Sequence, residues 1–355
     1  MVDEFALHKA RELANSVRFS EDQHDKTYGL QPPSLGDVVD TFYRSGVEIK
    51  PHLTPKLEDI LSRVCENLSL DREVVHAFVN SSHEIQAACY YTDSVKCIIR
   101  ISSALINVLE EEELGFVIGH ELGHFLLQHA PTATSQNAAE YFVFQRAKEF
   151  SADRIGLIGC GGLETASNAL VKTASGLNSS FIDVNLDQYL EQLNQLKNPS
   201  RGENPFNTHP SMLIRAFALK IFANKKAEVN YAQYSSSDVL AYDKRLGRFL
   251  LEFVDKELAD RVESAKQNLH MWIAAKTIVE DGRFTKTEQE TFKNIFGQLL
   301  LDKLKSFLSA IETNQLSVEI QKKIHHSESQ LKGLVPTEAS KIVHALTVSA
   351  KSAFK

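Results

Sequence analysis

The segments of this chain that favour β-strands all lie between residues 74 and 102. They are three short runs rich in β-branched and aromatic residues, at 74–79, 87–91 and 95–102, and Thr92-Asp93-Ser94 separates the last two like the turn of a hairpin. After Ser102 the apolar residues recur at helical spacing, in segments near 103–109, 111–130, 135–159, 163–176, 186–196 and 213–221. We therefore predict a mainly helical α+β fold with one small sheet near its N-terminal end.

The same pattern divides the chain into three parts. Residues 1–50 form a leader that contains an amphipathic segment, and residues 51–225 combine the sheet with the helices that follow it. Residues 226–355 alternate apolar helical stripes with polar breaks. Because 355 residues exceed one ordinary domain, we predict an α+β domain at 51–225 and an all-helical domain at 226–355.

Charge and composition argue against several kinds of partner. The formal net charge of −7 provides no attraction to nucleic acid or to an anionic membrane surface. The N-terminus lacks the apolar core of a signal peptide, and the sequence has no run of about 18 apolar residues that could span a bilayer. The four cysteines include no Cys-x-x-Cys pair and are expected to be reduced. We expect a cytoplasmic protein with no nucleic-acid partner and no integral membrane segment.

An apolar helical segment contains His120-Glu121-Leu122-Gly123-His124. Residues four apart on an α-helix are separated by about 40° around the axis and about 6 Å along it, so His120 and His124 can point both imidazoles at one metal ion. Glu121 lies about 100° further round, outside the set of ligands but close enough to take a proton from a water molecule on the metal. The spacing suits a zinc site that activates water.

A catalytic zinc needs a third protein ligand and an open position for water. The next helical segment contains Glu149 and Asp153, and an antiparallel arrangement of the two helices can bring Glu149 over the histidines. Asp153 lies four residues after Glu149, on the same face, where it can accept the second ring proton of a ligand histidine. His129 would lie on the far side of a continuous helix from His120, so we expect it at the surface or between helices.

Two other interpretations of this cluster are less favourable. Polar side chains could simply be paired in the core, but three ionisable groups on an apolar helix are costly to bury without the compensation that a metal ion gives. A structural zinc site usually has four protein ligands and is rich in cysteine, and no cysteine lies near the cluster in sequence. We predict one catalytic zinc ion bound by His120, His124 and Glu149.

Three ordered motifs resemble those of the HtpX-type and CaaX-prenyl-protease-type family of gluzincin metallopeptidases. They are His120-Glu121-Leu122-Gly123-His124 with the trailing His129, then Arg146-x-x-Glu149-x-x-Ala152-Asp153, then Thr208-His209-Pro210-Ser211 followed by Arg215. The resemblance covers residues 52–225 and implies a zincin fold with His120, His124 and Glu149 as zinc ligands and Glu121 as general base. It also implies that His209 lies by the reacting carbonyl and that Arg215 helps to hold the site.

Sequence reasoning alone leaves two of these roles open. Pro210 suits the first turn of a helix and leaves His209 at its start, where the ring can donate a hydrogen bond to a developing oxyanion. A capping or merely exposed histidine fits the same position. Arg215 can equally form a structural ion pair with a carboxylate.

The resemblance implies that substrate lies extended along an edge strand within residues 85–102. The family commonly has an Asn-Ala-aromatic run there, whereas this chain has Gln86-Ala87-Ala88-Cys89-Tyr90, so the family's side-chain preference does not simply carry over. Many relatives also contain transmembrane helices that this sequence lacks. We therefore expect soluble protein or peptide substrates.

The expected function is that of a zinc-dependent endopeptidase with Glu121 as general base. The alternative is a zinc-bearing protein of little or no activity that binds partners through 226–355, although an intact Glu121 argues against it. Residues 272–297 resemble a TerB-like helical module, but Asp281-Gly282 can also be a plain turn between helices. A further hypothesis, based on position alone, is that residues 1–50 cover the cleft.

Overall fold

The structure is a computed structural model that describes residues 4–20, 35–91, 95–129, 139–196, 207–223, 235–280 and 283–354. The chain divides into two compact units, Met1–Ala133 with Val143–Val254, and Thr134–Phe142 with Asp255–Lys355. The described residues are mostly helical and contain one four-stranded sheet, which confirms the predicted mainly helical α+β class. None of the described helices is long and apolar enough to cross a membrane.

The sheet belongs to the first unit. Its strands are β1 (Gly46–Glu48), β2 (Val75–Asn80), β3 (Ala87–Tyr90) and β4 (Cys97–Ser102), in the order β1-β2-β4-β3. β2 and β4 run parallel, whereas β3 pairs antiparallel with β4, which confirms the predicted hairpin and places β3 at an edge of this sheet. The sequence pattern does not predict β1, because three residues are too few to show an alternation.

Ten helices lie wholly or mainly in the described part of the first unit. They are α1 (Glu4–Ser16), α2 (Leu35–Ser45), α3 (Pro55–Asn67), α4 (Ser103–Val108), α5 (Glu111–Leu126), α6 (Ala139–Cys160), α7 (Leu163–Ser175), α8 (Leu186–Leu190), α9 (Met212–Phe222) and α10 (Ser236–Phe253). Short 3₁₀ turns occur at Arg72–Val74 and Glu191–Leu196. The main core of this unit includes Leu61 of α3, Phe116 of α5 and Leu170 of α7, so the motif-bearing helix is packed on several sides.

The beginning of α5 is fixed by a charged network. The side chain of Glu113 accepts the backbone N–H of Glu110 at 2.9 Å, which satisfies one of the free N–H groups at the helix start. Nζ of Lys172, on α7, lies 2.7 and 2.8 Å from the two carboxylate oxygens of Glu113. Both side chains are buried, and a buried charge needs such a partner. The pair therefore holds α5 and α7 together.

The described part of the predicted leader packs into the first unit. Leu7 and Ala14 of α1 are buried in its main core, and β1 belongs to the sheet. At the other end, the unit includes α10 and extends to Val254, whereas the sequence pattern places the boundary after residue 225. The difference arises because the apolar stripe of α10 looks like those of the helices after it, so periodicity does not show which core it joins.

Between residues 255 and 354, the secondary structure of the described part of the second unit consists of helices joined by short turns. Its helices are α11 (Lys256–Val279), α12 (Lys286–Phe296), α13 (Gln298–Ala310), α14 (Thr313–Leu334) and α15 (Ala339–Phe354). Ile278, Phe292 and Leu331 lie in its core. Residues 281 and 282 lie outside the described part of the chain, and the TerB-like resemblance stays a prediction.

Candidate metal centre and active site

Small residues allow α5 and α6 to approach very closely. A Cβ atom on Gly119 would lie 3.0 Å from Cα of Gly156, and one on Gly123 would lie 2.9 Å from Cα of Ala152. A Cβ on Gly156 would lie 2.7 Å from the carbonyl oxygen of Phe116. Larger side chains would force the two backbones apart, because a close-packed interior has no room for them. The crossing brings Glu149 of α6 beside the two histidines of α5.

The three predicted ligands meet at one point. Nε2 of His120 and Nε2 of His124 lie 3.2 Å apart; the first lies 3.5 Å from Oε2 of Glu149 and the second lies 3.5 Å from Oε1. Donor atoms at about 2.1 Å from a tetrahedral zinc are separated by about 3.4 Å, and the separation of the two nitrogens is close to such an edge. The three side chains therefore lie close enough together to hold one metal ion.

Behind the histidines, Asp153 and Arg215 form a buried ion pair. Nδ1 of His120 donates to Oδ1 of Asp153 at 2.9 Å, which leaves Nε2 directed towards the other ligands. Arg215, on α9, donates to both oxygens of Asp153 through Nη2 at 2.5 Å and Nε at 2.9 Å, and its Nη1 lies 3.7 Å from Glu149. Arg215 thus forms the ion pair that sequence reasoning left open, and it does so with the residues that line the metal site.

His129 contacts His124, the second predicted ligand. The sequence does not predict this contact. Nδ1 of His129 lies 2.9 Å from Nδ1 of His124. With Nε2 of His124 directed towards the ligand cluster, the ring proton of a neutral His124 lies on Nδ1 and is donated to His129. Each ligand histidine therefore has a hydrogen-bond partner on the nitrogen that faces away from the metal position, Asp153 for His120 and His129 for His124.

Glu121 lies beside the ligands and against the edge strand. It is buried, and the backbone N–H of Cys89 in β3 lies close enough to favour its ionised form. Burial raises the pKa of Glu121 above its ordinary value, whereas the positive charges of His120 and Arg215 and the Cys89 N–H act in the opposite direction. A carboxyl with a raised pKa suits a group that must both accept and release a proton.

His209 lies on the open side of the same cluster. Its Nε2 is 3.4 Å from Oε1 of Glu149, and its side chain is 71% exposed. Arg146, one helical turn before Glu149 on α6, is almost completely buried and donates from Nη1 to the carbonyl oxygen of Asn207 at 3.0 Å. The helix that carries the third ligand therefore also holds the backbone that precedes His209.

The ionisation of the ligands suits metal binding. Burial opposes ionisation of Glu149, but the hydrogen bond from His120 and the nearby positive charges outweigh it and hold the pKa of Glu149 well below its ordinary value. Burial lowers the pKa of His124 well below its ordinary value, so this ring is neutral. For His120, burial and Arg215 disfavour the charged form, but the hydrogen bonds to Asp153 and Glu149 prevail and raise the pKa to about 9. A metal ion must displace the His120 proton.

A cavity of about 440 Å³ opens beside the ligands. One wall is the predicted substrate strand, which contributes Gln86, Ala87, Ala88 and Cys89; Tyr90 ends β3 and is not part of the wall. The wall contains none of the described residues of the leader, 4–20 and 35–50. The cavity therefore joins the candidate catalytic groups to the free edge of the sheet.

Three features of the site were accessible only in part from the sequence. The four-residue spacing of Gly115, Gly119 and Gly123 is visible there and is typical of a close helix crossing. Arg146 begins the motif that contains Glu149 and Asp153, but no residue near it in the sequence indicates that it binds Asn207. The position of His129 depends on where α5 ends. If the helix is assumed to continue to residue 130, its periodicity places His129 on the side of the helix opposite His120.

Comparison with known proteins yields one match. Residues 51–144 match the model of Peptidase family M48. No curated protein and no solved structure matches the chain significantly. The matched stretch includes β2, β3, β4 and α5 with His120, Glu121 and His124, and it ends before Glu149. Over residues 51–144 the chain is similar to the metallopeptidases of family M48, which supports a metal-dependent peptidase.

Proposed function

We propose that this protein is a zinc-dependent endopeptidase of the zincin type that cleaves protein or peptide substrates. The observation that carries the proposal is the meeting of His120, His124 and Glu149 in one cluster beside Glu121. Two imidazoles and a carboxylate form a donor set typical of catalytic zinc, which keeps a fourth position open. A zinc ion bound there supplies Lewis acidity and lowers the pKa of a water molecule.

Glu121 is the general base in this proposal. It lies next to the ligands, and its carboxylate can take a proton from the attacking water and deliver it to the amine nitrogen of the leaving group. Asp153 and Arg215 hold His120 in the orientation that presents Nε2. His129 has the same function for His124. The chain thus orients the two histidines through separate contacts.

Substrate pairs with the free edge of β3 in this proposal. The backbone N–H of Ser102 donates to the carbonyl oxygen of Gln86 at 3.0 Å. The carbonyl group of Gln86 therefore points towards β4. The N–H of Cys89 instead faces Glu121. Backbone groups of alternate residues in a strand point to opposite edges, so Ala87 and Cys89 face the free edge. The N–H and C=O of Ala87 and the C=O of Cys89 can pair with an incoming extended peptide.

His209 stabilises the oxyanion that forms on the scissile carbonyl. It lies on the exposed side of the cluster, 3.4 Å from Glu149, where a substrate carbonyl would approach. An imidazole N–H there can donate to the developing negative charge. The hydrogen bond from Arg146 to Asn207 limits the movement of the backbone beside it.

The Glu121→Gln variant tests this proposal. It should bind one zinc ion per chain with an affinity close to that of the parent and cleave casein roughly a hundredfold to ten-thousandfold more slowly, because the base is lost and the ligands are kept. Glu112→Gln, an exposed glutamate on the same helix, is the matched control and should cleave at the parental rate. Equal cleavage by the Glu121 variant and the parent would show that Glu121 is not the base.

A zinc-bearing protein without peptidase activity would behave differently. Parent and Glu121→Gln would then bind zinc equally, and neither would cleave casein or a peptide library. Three further statements stay predictions: membership of the HtpX-type and CaaX-prenyl-protease-type family, a cytoplasmic location, and partner binding through residues 226–355.

A further inference from the structure

Residues 17–20, which follow α1 directly, bind to α6 through two backbone groups. The backbone N–H of Phe19 donates to Oγ of Ser151 at 3.1 Å, and Nη1 of Arg154 donates to the carbonyl oxygen of Val17 at 3.0 Å. Both contacts are buried and join positions more than 130 residues apart in the sequence. We call residues 17–20 the anchor segment.

A buried ion pair joins the anchor segment to a third element, α10. Nη2 of Arg154 lies 2.8 Å from Oδ1 of Asp243, and Oδ2 of the same carboxylate accepts the backbone N–H of Ser20 at 3.0 Å. The side chains of Arg154 and Asp243 are almost completely buried, and buried charges need such partners. Asp243 therefore holds the anchor segment and α6 at the same time.

The side chain of Phe19 packs between the same elements. It is completely buried, and its ring meets that of Phe150 edge to face, with the two centroids 5.9 Å apart. The guanidinium carbon of Arg154 lies 5.3 Å from the centroid of the Phe19 ring. Phe19 shares this core with Leu246 of α10. Its loss would leave a cavity against the back of α6, which the surrounding side chains fill only in part.

These contacts lie on the face of α6 that is turned away from the metal position. Successive residues on an α-helix are about 100° apart, so Glu149 and Asp153 lie within about 40° of each other. Phe150, Ser151 and Arg154 lie about 100–200° round the axis from Glu149. The crossing with α5 and the contacts with the anchor segment thus hold different sides of α6. If the back is released, α6 can shift or turn, and Glu149 moves with it.

We infer that the anchor segment positions Glu149 as a metal ligand by holding α6 from behind. The inference rests on the zinc site of the proposed function. It assigns these residues a role different from that of a cover, and none of residues 17–20 lines the cavity. Weaker contacts of a cover would raise the rate of cleavage, whereas weaker contacts of a support lower the affinity for zinc.

Phe19→Ala tests the inference, with Phe78→Ala as its matched control. Phe78 is also completely buried in the first unit, but the core cluster that it shares with Phe42 and Ile98 includes no described residue of α6. In competition with a chromophoric chelator, Phe19→Ala should bind zinc at least about tenfold more weakly than the parent, and Phe78→Ala should stay within about twofold. Phe19→Leu, which keeps most of the apolar volume, should recover most of the affinity.

Hydrogen exchange measures the effect on α6 without the metal. Amides of residues 146–156 in the metal-free protein should exchange faster in Phe19→Ala than in Phe78→Ala, because the helix opens more often. Ser151→Ala is a milder variant that removes one acceptor and makes little cavity. It should weaken zinc binding by about twofold to tenfold. Its control is Ser167→Ala, since Ser167 is buried on α7 and its hydroxyl has no hydrogen-bond partner among the described residues.

Each outcome has a distinct meaning. Zinc affinities of Phe19→Ala and Ser151→Ala equal to those of their controls would overturn the inference, and parental cleavage of casein would still support the proposed function. Faster cleavage by Phe19→Ala at unchanged zinc affinity would show that the anchor segment restrains the enzyme, which also overturns the inference. The expected zinc affinities in a parent that cleaves nothing would support the inference and overturn the proposed function. A parent that binds no zinc would overturn both.

Discussion

Nδ1 of His124 lies 2.9 Å from Nδ1 of His129, five residues further along the chain. The contact forms because α5 ends at Leu126 and the backbone of Gln128 has a positive φ of 56°, so the chain turns back. The backbone N–H of His129 then donates to the carbonyl oxygen of His124 at 2.9 Å. A histidine that follows a helix end thus supports a ligand within that helix.

The first prediction concerns this contact. Replacement of His129 by phenylalanine should weaken zinc binding by roughly tenfold to a hundredfold, because the ring of His124 loses the acceptor that fixes its orientation. Competition with a chromophoric chelator measures the affinity. His52→Phe, a change at an exposed histidine, should have no effect. Unchanged affinity in the His129 variant would show that the contact does not orient His124.

The second prediction concerns pH. Although burial opposes it, the hydrogen bonds to Asp153 and Glu149 raise the pKa of His120 to about 9, and zinc binds only the neutral imidazole, so protons compete with zinc below that pH. The apparent affinity should rise as pH increases from 6.5 to 9, by up to about tenfold per unit, and then level off. An ordinary histidine would level off near 6.5. In Asp153→Asn, which removes a group that favours the charged ring, the plateau should begin at a lower pH.

The third prediction concerns the helix crossing. Gly156→Ala places a methyl group against the carbonyl oxygen of Phe116, so it should lower the free energy of unfolding by about 1–3 kcal/mol. It should also weaken zinc binding, because α6 moves together with Glu149. Gly333→Ala on α14 is the control, since a Cβ there meets nothing within 4 Å. Denaturant unfolding compares the two variants, and a Gly156 variant as stable as the control would contradict the prediction.

The fourth prediction concerns Arg146. Arg146→Met should lower kcat and leave zinc affinity near the parental value, because it releases the backbone before His209 and leaves His120, His124 and Glu149 in place. His209→Ala should lower kcat by roughly a hundredfold to a thousandfold. If Arg146 acts through His209, the loss in the double variant should be smaller than the product of the two single losses. Independent, multiplying losses would assign Arg146 a different role.

The sequence predicts the parts of this site that depend on short distances along a helix. His120 and His124 are one turn apart, and so are Glu149 and Asp153, so each pair follows from periodicity alone. The meeting of the two pairs depends on the crossing of α5 and α6, for which the sequence offers glycine spacing and a family resemblance.

The remaining features depend on where elements end and on contacts distant in sequence. His129 is misplaced by periodicity because the helix ends four residues earlier than the pattern suggests. Arg215 and Asp153 are 62 residues apart, and no local pattern shows that they pair. The sequence pattern places α10 in the wrong domain for the same reason. Its apolar face could pack in the core of either unit, and only the structure shows that it shares a core with Phe150 of α6.

The glycines of α5 have a consequence for how this enzyme could change. Gly119 and Gly123 face α6, whereas Val117 and Glu121 lie two residues away along the helix, about 200° round its axis. One side of α5 therefore fixes the crossing that brings Glu149 to the histidines, and the side with Val117 and Glu121 contributes to the cavity wall. A substitution at Val117 can therefore change the shape of the cavity without touching the backbone contact that brings Glu149 to the histidines, so the cavity can vary while the crossing of α5 and α6 is kept.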